Sequence, residues 1–256
     1  MHTKDSLIAQ LSAMLPSDAT VLMHSSCKSL GQMENGGDTI LDALTEYFSR
    51  GLVVLPTHTW ATVNDRQPVY DVLYTPVCIS LLPELFRKRP GVHRSWHPTH
   101  SVAAFGADAE EFVRGDENCP TPCARDSAWG RLYDRDAYVL LVGVELNRMT
   151  FFHGVEEWNG IPGRLKETPN RYVVIPPDGG ALCGTTTRTA AIRPNSIPRR
   201  KQRCCMRARC AWKSWATRRF ACSPAANRPR SFPHCSKTIR FSSEKRATAE
   251  KSYRFG

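Results

Sequence analysis

The sequence lacks the features that identify several large classes of protein. No apolar run approaches the roughly 20 residues that a membrane-spanning helix needs, so we expect a soluble protein without a membrane partner. The first residues contain no continuous apolar segment followed by a small-residue cleavage site, which predicts a cytoplasmic protein without a secretory signal. The patterns GxGxxG and GxxxxGKS/T are also absent, so nucleotide binding by the common glycine-rich loops is not predicted.

Residue spacings typical of zinc sites are missing too. The chain has 10 cysteines, but those beyond residue 180 include no CxxC pair. His93, His97 and His100 lie close together, yet Pro98 opposes a continuous helix there and no acidic or thiol partner stands at a characteristic offset. We therefore expect no metal site, and in a cytoplasmic protein the cysteines are expected to be reduced thiols.

Charge is divided unevenly along the chain. The 256 residues carry a formal net charge of +11. Residues 1–180 contain 16 Lys and Arg against 22 Asp and Glu, whereas residues 181–256 contain 19 against 2. The second segment has no strand-like apolar run longer than three residues, and low hydrophobicity with high net charge predicts disorder. These observations predict one domain over residues 1–180 and a poorly structured, basic, cysteine-rich tail over residues 181–256.

The first segment alternates short apolar runs with amphipathic helical patterns. Strand-like runs are TVLMH, LVVLPTHTW, SVAAF and AYVLLVGV, and helical spacing of apolar residues is found between them, for example in TILDALTEYFSR. The run LVVLPTHTW is of the kind that a strand buried on both faces shows. The alternation predicts an α/β fold in which a mostly parallel sheet is flanked by helices.

Histidines are concentrated in the segment HRSWHPTH, at a predicted junction between a loop and a strand. Loops held by a sheet often carry functional side chains. Neutral imidazoles can take a proton near pH 7, and the guanidinium of Arg94 can pair with a phosphate or a carboxylate. The alternative is that these side chains cap strand ends and hydrogen-bond the backbone.

A second candidate site follows the clearest buried strand. In TFFHGVEE, His153 and Glu156 stand three residues apart, so on a helix the carboxylate can orient the imidazole. A base and its orienting group are what removal of a proton from an ammonium group requires. An ordinary surface pair on a helix has the same spacing, and the spacing alone does not separate the two interpretations.

Two short segments precede a predicted helix start and offer a weaker signal. Ser25-Ser26 and the turn Gly36-Gly37 lie where exposed backbone N–H groups can hold the phosphates of a cofactor. A plain helix cap by a serine or by Asp38 explains the same pattern.

Taken together, these stretches resemble the family of aminoglycoside 3-N-acetyltransferases, whose fold is distinct from that of the GNAT acetyltransferases. The matching segments, in family order over about residues 5–180, are HSSCKSLGQMENGGDTILDAL, LVVLPTHTW, FRKRPGVHRSWHPTHSVAAFGADAEEF, DSAWGRLYDRDAYVLLVGV and MTFFHGVEE. The resemblance implies antibiotic resistance by transfer of an acetyl group from acetyl-coenzyme A to the 3-amino group of a deoxystreptamine aminoglycoside. The acidic balance of residues 1–180 suits such a polycationic substrate.

The resemblance also implies roles for particular residues. His153 would be the general base, Glu156 its orienting carboxylate, and Thr150 a neighbour of the thioester oxygen. The positions implied to line the acceptor site are His97, His100, Ser101, Asp126 and Glu157. The positions implied to lie near the coenzyme are Ser25, Ser26, Lys28, Gly36, Gly37 and Arg94.

The basic tail does not match the family, and it leaves alternatives open. Its arginine-, cysteine- and proline-rich composition is typical of out-of-frame translation of a GC-rich gene, which makes a truncated or frameshifted inactive member one alternative. A same-fold enzyme that acetylates another amine is a second, because the shared motifs do not fix the acceptor. A third is binding of nucleic acid or an anionic membrane by Trp212, Trp215 and Phe220 among the basic residues, although nucleic acid is not the partner that we expect.

Overall fold

The computed structural model describes residues 1–26 and 29–180, together with the backbone of 182–187, 216–219 and 240–241. Helices in this part of the chain are α1 Lys4–Met14, α2 Gly37–Tyr47, α3 Leu81–Phe86, α4 Ala109–Val113, α5 Ala128–Asp134 and α6 Phe151–Trp158. Strands are β1 Thr20–Ser25, β2 Leu52–Pro56, β3 Val69–Asp71, β4 His93–Arg94, β5 Val102–Gly106, β6 Tyr138–Val142, β7 Asn170–Ile175, β8 Leu182–Thr187, β9 Ala216–Arg219 and β10 Arg240–Phe241. A search of the described residues finds no helix with the length and apolar character needed to span a membrane.

A seven-stranded mixed sheet occupies the centre of the structure, with strand order β10-β9-β6-β1-β2-β5-β4. Strand β1 pairs in parallel with β2 and with β6, whereas the remaining pairs of this sheet are antiparallel. The predicted α/β class with flanking helices is confirmed, and the expectation of a mostly parallel sheet is corrected, because parallel pairing is limited to the three central strands. A continuous apolar run indicates burial on both faces, which is usual for parallel strands, but here the antiparallel strand β5 is buried on both faces as well.

Side chains on the central strands alternate between two apolar cores. Val21 and Met23 of β1 belong to one core, into which α1 and α2 send residues such as Leu11 and Leu44. Leu22, between them, belongs to the opposite core, which α4, α5 and α6 cover. Burial on both faces, with successive side chains on opposite sides, gives a three-layer arrangement of helices, sheet and helices.

A second, three-stranded sheet has the order β3-β7-β8. Strand β7 is parallel to β3 and antiparallel to β8, and Tyr70 and Tyr172 pack in a small core beside it. Strand β8 and strand β9, which pairs with β6, come from the segment in which the sequence predicts no regular element. Most of residues 181–256 lie outside the described residues, so the predicted disorder of the tail stays a prediction.

Candidate active site

A cleft of about 750 Å³ opens where the three parallel central strands end. Its walls include Ser25 and Ser26 at the end of β1, His58 just beyond β2, Gly143 just beyond β6, and Thr150 immediately before α6. Ligands of α/β proteins commonly bind outside the carboxyl ends of parallel strands, where the chain leaves in different directions. The topology therefore gathers polar residues from three distant parts of the sequence at one edge of the sheet.

Gly143 allows two walls of this cleft to approach each other closely. Its backbone has a φ of +68°, in the left-handed region that glycine adopts without strain. A Cβ atom at this position would lie 2.7 Å from the Cβ of Ser29 and 2.9 Å from the carbonyl oxygen of Ser26. The loop after β1 and the loop after β6 consequently lie in direct contact.

His153 and Glu156 form the pair that their spacing predicts. Both lie on α6, and the Nδ1 atom of His153 is 2.9 Å from an Oε atom of Glu156. The two side chains are 20% and 17% exposed, so they are largely shielded without being sealed from solvent. When the carboxylate accepts a hydrogen bond from Nδ1–H, Nε2 keeps its lone pair and can take a proton.

Gly154, next to His153, makes room for a large neighbour on the same helix. A Cβ atom there would lie 2.8 Å from the indole ring of Trp158. The Trp158 indole N–H donates to the carbonyl of Cys123 at 2.8 Å, and the ring packs edge-on against Phe151. The hydrogen bond to Cys123 ties α6 to the loop that precedes α5, and the helix in turn positions His153.

A buried arginine connects Glu156 with the next carboxylate along the helix. Arg164 is almost fully buried, with its Nε 3.2 Å from an oxygen of Glu156 and its Nη2 3.3 Å from an oxygen of Glu157. Glu157 also accepts the backbone N–H of Cys123 at 3.0 Å. Burial raises the pKa of Glu157, and the positive charge of Arg164 opposes that rise.

Thr150 is hydrogen-bonded to a buried histidine. Its Oγ1 lies 3.0 Å from Nε2 of His58. The His58 ring stacks on Trp129 at a centroid distance of 5.7 Å and contacts the His100 ring at 4.8 Å. Burial lowers the pKa of His58 well below its ordinary value, and the nearby His24 and His153 rings lower it further, so His58 is a neutral imidazole near pH 7.

Three predicted acceptor residues support the wall of the site from behind. Nδ1 of His97 accepts the backbone N–H groups of Thr99 and His100 at 3.2 and 3.0 Å, and burial lowers the pKa of His97 to about 4. His100 packs against the ring of His58. Ser101 is fully buried and its hydroxyl donates to the carbonyl of Thr57 at 2.8 Å. His97 and Ser101 thus bond the backbone and His100 packs on another side chain, while the acceptor roles of all three stay predictions.

The other predicted residues are distributed unevenly around the cleft. Ser25 and Ser26 line it, whereas Glu157 lies behind it and Asp126 is an exposed residue outside its lining. Lys28 lies outside the described residues. The acceptor and coenzyme roles of these residues stay predictions.

Arg94 and the Gly36-Gly37 turn also lie away from the cleft lining. The Arg94 guanidinium is buried and donates to the carbonyl groups of Val72, Thr75 and Thr57 at 3.0, 2.8 and 3.1 Å. Gly37 begins α2 and faces α3, because a Cβ atom there would lie 3.0 Å from a methyl carbon of Leu85. The guanidinium of Arg94, which the sequence predicts as a phosphate partner, thus holds the loop between β3 and α3.

Several residues of the site have no counterpart among the sequence predictions. His24, His58 and Arg148 line the cleft, and Arg164 holds Glu156. A signal for His58 is present in the sequence, since it follows the buried strand in LVVLPTHTW and such positions meet at the edge of a parallel sheet. Arg164 gives no such signal, because its pairing depends on the fold of the loop after α6.

Comparisons with known proteins show the family to which the chain belongs. The model of the family described as aminoglycoside 3-N-acetyltransferase matches residues 22–212, a span that extends past the boundary set by composition at residue 180. An aminoglycoside N(3')-acetyltransferase-like protein of Bacillus subtilis, YokD, is 30% identical over 177 residues, which is 60% of this chain and 65% of that protein. Aminoglycoside N(3)-acetyltransferase VII of Streptomyces paromomycinus is 29% identical over 181 residues, or 63% of this chain and 62% of that protein. The chain thus matches somewhat less than two thirds of the length of these curated relatives.

Solved structures give the same result at the level of the fold. The crystal structure of YokD has a TM-score of 0.65 at 26% identity and covers 79% of this chain and 87% of its own. AAC-IIIb in a binary complex with CoASH has a TM-score of 0.63 at 25% identity, with 74% and 76% covered. A variant of AAC(3)-IVa in complex with a gentamicin has a TM-score of 0.62 at 26% identity, with 75% and 70% covered.

Proposed function

The chain belongs to the aminoglycoside 3-N-acetyltransferase family, and on that premise we propose that it transfers an acetyl group from acetyl-coenzyme A to the 3-amino group of a deoxystreptamine aminoglycoside. The observation that carries the proposal is the hydrogen bond between His153 and Glu156 at the start of a helix whose preceding residue, Thr150, lines the cleft. The backbone N–H of His153 donates to the carbonyl of Thr150 at 2.8 Å, which keeps the base within one helical turn of the cleft.

Proton removal is the step for which this pair is suited. An amine that is protonated near pH 7 has no free lone pair, so a base must remove a proton before or during attack on an acyl carbon. Nε2 of His153 accepts that proton, while Glu156 holds Nδ1 and stabilises the imidazolium that forms. Arg164 places a positive charge beside Glu156, with its Nε atom 3.2 Å from a carboxylate oxygen.

The cleft offers groups that fit acetyl-coenzyme A, which supplies the acyl carbon when it is bound. Arg148 and Asn147 line the cleft and provide donors for a phosphate-bearing ligand. The Ser25 hydroxyl is buried at the cleft wall and has no hydrogen-bond partner among the described residues, so it has a donor to offer. The complex of the neighbour AAC-IIIb with CoASH supports the same co-substrate.

The acceptor follows from charge and from a neighbouring structure. Residues 1–180 carry 22 acidic against 16 basic residues, a balance that attracts a polycationic antibiotic. The AAC(3)-IVa variant that resembles this chain was solved with a gentamicin. A cytoplasmic location belongs to the proposal, since acetyl-coenzyme A is an intracellular metabolite.

Mass spectrometry tests the proposal directly. The purified protein is incubated with acetyl-coenzyme A and a panel of deoxystreptamine aminoglycosides, and each product is examined for one added acetyl group. The proposal predicts a singly acetylated product that is lost with His153→Ala. A folded protein that binds the coenzyme but acetylates no aminoglycoside would contradict it and would indicate another amine as the acceptor.

A further inference from the structure

His58 is a buried, neutral side chain at the wall of the cleft, and the proton transfer described above does not use it. It is 3% exposed and its Nε2 atom is 3.0 Å from Oγ1 of Thr150. Thr150 is the residue predicted to lie near the thioester oxygen. A residue that controls where the Thr150 hydroxyl points would therefore act on the reacting group without touching it.

The His58 ring is held by two aromatic neighbours, and its backbone is held by a hydrogen bond. Trp129 stacks behind it with an interplanar angle of 24°, and His100 packs against it at a centroid distance of 4.8 Å. The Trp129 indole N–H in turn donates to the carbonyl of His100 at 3.1 Å. The carbonyl of His58 accepts the N–H of Cys78 at 2.8 Å, so the backbone is held as well.

A neutral imidazole so placed has two tautomers, and they have opposite consequences for Thr150. If Nδ1 carries the proton, Nε2 is an acceptor and the Thr150 hydroxyl must donate to it, which turns its proton away from any ligand. If Nε2 carries the proton, it donates to Thr150 and leaves the hydroxyl proton free. The distance between Nε2 and Oγ1 is the same in both tautomers. The tautomer is therefore assigned from which ring nitrogen finds a hydrogen-bond partner.

The surroundings of the other ring nitrogen favour the second tautomer. Nδ1 of His58 is buried and has no hydrogen-bond partner among the described residues. Buried N–H groups without an acceptor are rarer in proteins than acceptors without a donor. Placing the proton on Nε2 satisfies it with Thr150 and leaves only a lone pair at Nδ1.

We propose that His58 is a positioning residue for acetyl transfer, which as the Nε2–H tautomer donates to Thr150 and so directs the Thr150 hydroxyl proton into the cleft as a donor to the thioester oxygen. This inference rests on the proposed function for its ligand, and on the contacts of His58 for its mechanism. A preoriented donor stabilises negative charge that develops on an oxygen without having to reorganise first.

Imidazole nitrogen NMR tests the tautomer without any turnover. In protein labelled with ¹⁵N-histidine, the His58 signals are assigned by their loss in His58→Gln, and the nitrogen shifts identify which atom is protonated. The expected result is a neutral ring with the proton on Nε2. A proton on Nδ1, or a charged ring near pH 7, overturns the proposal.

Two substitutions separate the role of the Nε2–H group from mere occupancy of the space. The amide nitrogen of glutamine can reach the place of Nε2, whereas that of asparagine corresponds to Nδ1. His58→Asn is expected to lower kcat about 10-fold or more with little change in KM, and His58→Gln to recover most of the loss. Equal losses in both variants would overturn the proposal.

A double-mutant cycle with Thr150→Val tests whether His58 acts through Thr150. Once the hydroxyl is gone, His58→Asn should cause no further loss of kcat, whereas a residue with a separate structural role would lower it again. Independent, multiplicative losses would overturn the proposal. Absence of acetyl transfer by the wild-type protein would instead reject the proposed function, and the NMR measurement would still decide the hydrogen bond.

Discussion

The proposed role of His153 as a base draws on Glu156, which lies 2.9 Å from its other ring nitrogen. Glu156→Gln keeps a group of the same shape but removes the charge that stabilises the imidazolium. We expect kcat to fall about 100-fold while KM for both substrates changes little, since removal of this kind of assistance acts on the transition state. Steady-state kinetics by mass spectrometry measures it. Glu110→Gln, an exposed site that pairs with Arg114, serves as the control, and an unchanged kcat in Glu156→Gln would contradict the assigned role.

Arg164 supplies the positive charge that compensates the carboxylates of Glu156 and Glu157. Arg164→Met leaves Glu156 and Glu157 close together without their counterion, and at pH 7 this should cost about 3–5 kcal/mol of unfolding free energy. The folded-state pKa of Glu157, already raised by burial, should rise further. A raised carboxyl pKa means that the variant is relatively more stable below that pKa and loses stability as the pH rises through it.

Urea unfolding at pH 7 and pH 5 checks this expectation. The difference in unfolding free energy between wild type and Arg164→Met should be smaller at pH 5. A difference that is constant or larger at the lower pH would show that the two carboxylates do not depend on Arg164.

Single residues show most clearly where the sequence stops being informative. The spacing of His153 and Glu156 indicated that the two side chains could meet, because three residues on a helix bring two side chains to one face, but it left their role open. The contacts of Arg94 have no such signal, because the carbonyl groups of Val72 and Thr57 that it meets lie far away in the sequence. Tertiary packing decides which partners a charged side chain contacts.

Helix α5 illustrates how a remote element supports the site. It carries Trp129, on which the His58 ring stacks, and its Gly130 packs against the preceding loop. A Cβ atom on Gly130 would lie 1.6 Å from the carbonyl oxygen of Arg125, a distance that only a backbone shift can relieve. We expect Gly130→Ala to lower the unfolding free energy by about 3 kcal/mol or more.

Denaturant unfolding of Gly130→Ala provides the measurement. Gly180→Ala is a suitable control, because its Cβ atom would meet nothing closer than 3.5 Å. Equal stability of the two variants would mean that α5 and the loop before it are not packed as described.

For helices and strands, the sequence predicted which elements exist, and whether each is a helix or a strand, better than it predicted the direction of the strands. Apolar runs located β1, β2, β5 and β6, and helical spacing located α2, because burial requires the same periodicity in any fold. The antiparallel pairing of β2 with β5 carries no signature of its own, since the runs Leu52–Pro56 and Val102–Gly106 are apolar in either direction. Their long connection, which contains His58 and His97, is what reverses the chain.

The molecule as a whole should be sensitive to acid through its buried histidines. Burial lowers the pKa of His24 to about 3 and of His97 to about 4, and it lowers those of His58 and His100 well below 6.5. The unfolded chain binds protons at these sites below pH 6.5 while the folded chain does not. Their contribution to stability is therefore complete above pH 6.5 and is lost as the pH falls toward 4, at about 1.4 kcal/mol per pH unit for each proton.

Asp116 opposes this trend, because burial raises its pKa to about 6 and makes it release a proton on unfolding. Since the four histidines outnumber it, we expect net proton uptake on unfolding at pH 5.5 and a lower unfolding free energy than at pH 7.5. Urea titrations at the two pH values measure both quantities. Equal or greater stability at pH 5.5 would show that these histidines are not buried in the neutral form.

The most direct test of the proposed aminoglycoside 3-N-acetyltransferase activity is to determine which nitrogen of the product carries the acetyl group. Wild-type protein is incubated with ¹³C-acetyl-coenzyme A and gentamicin, and two-dimensional NMR of the purified product identifies the acylated nitrogen. We predict a single acetyl group on the 3-amino group of the deoxystreptamine ring, and none when His153 is replaced by Ala. Acetylation of a different amine, or an acetylated product that persists without His153, would contradict the site and the mechanism together.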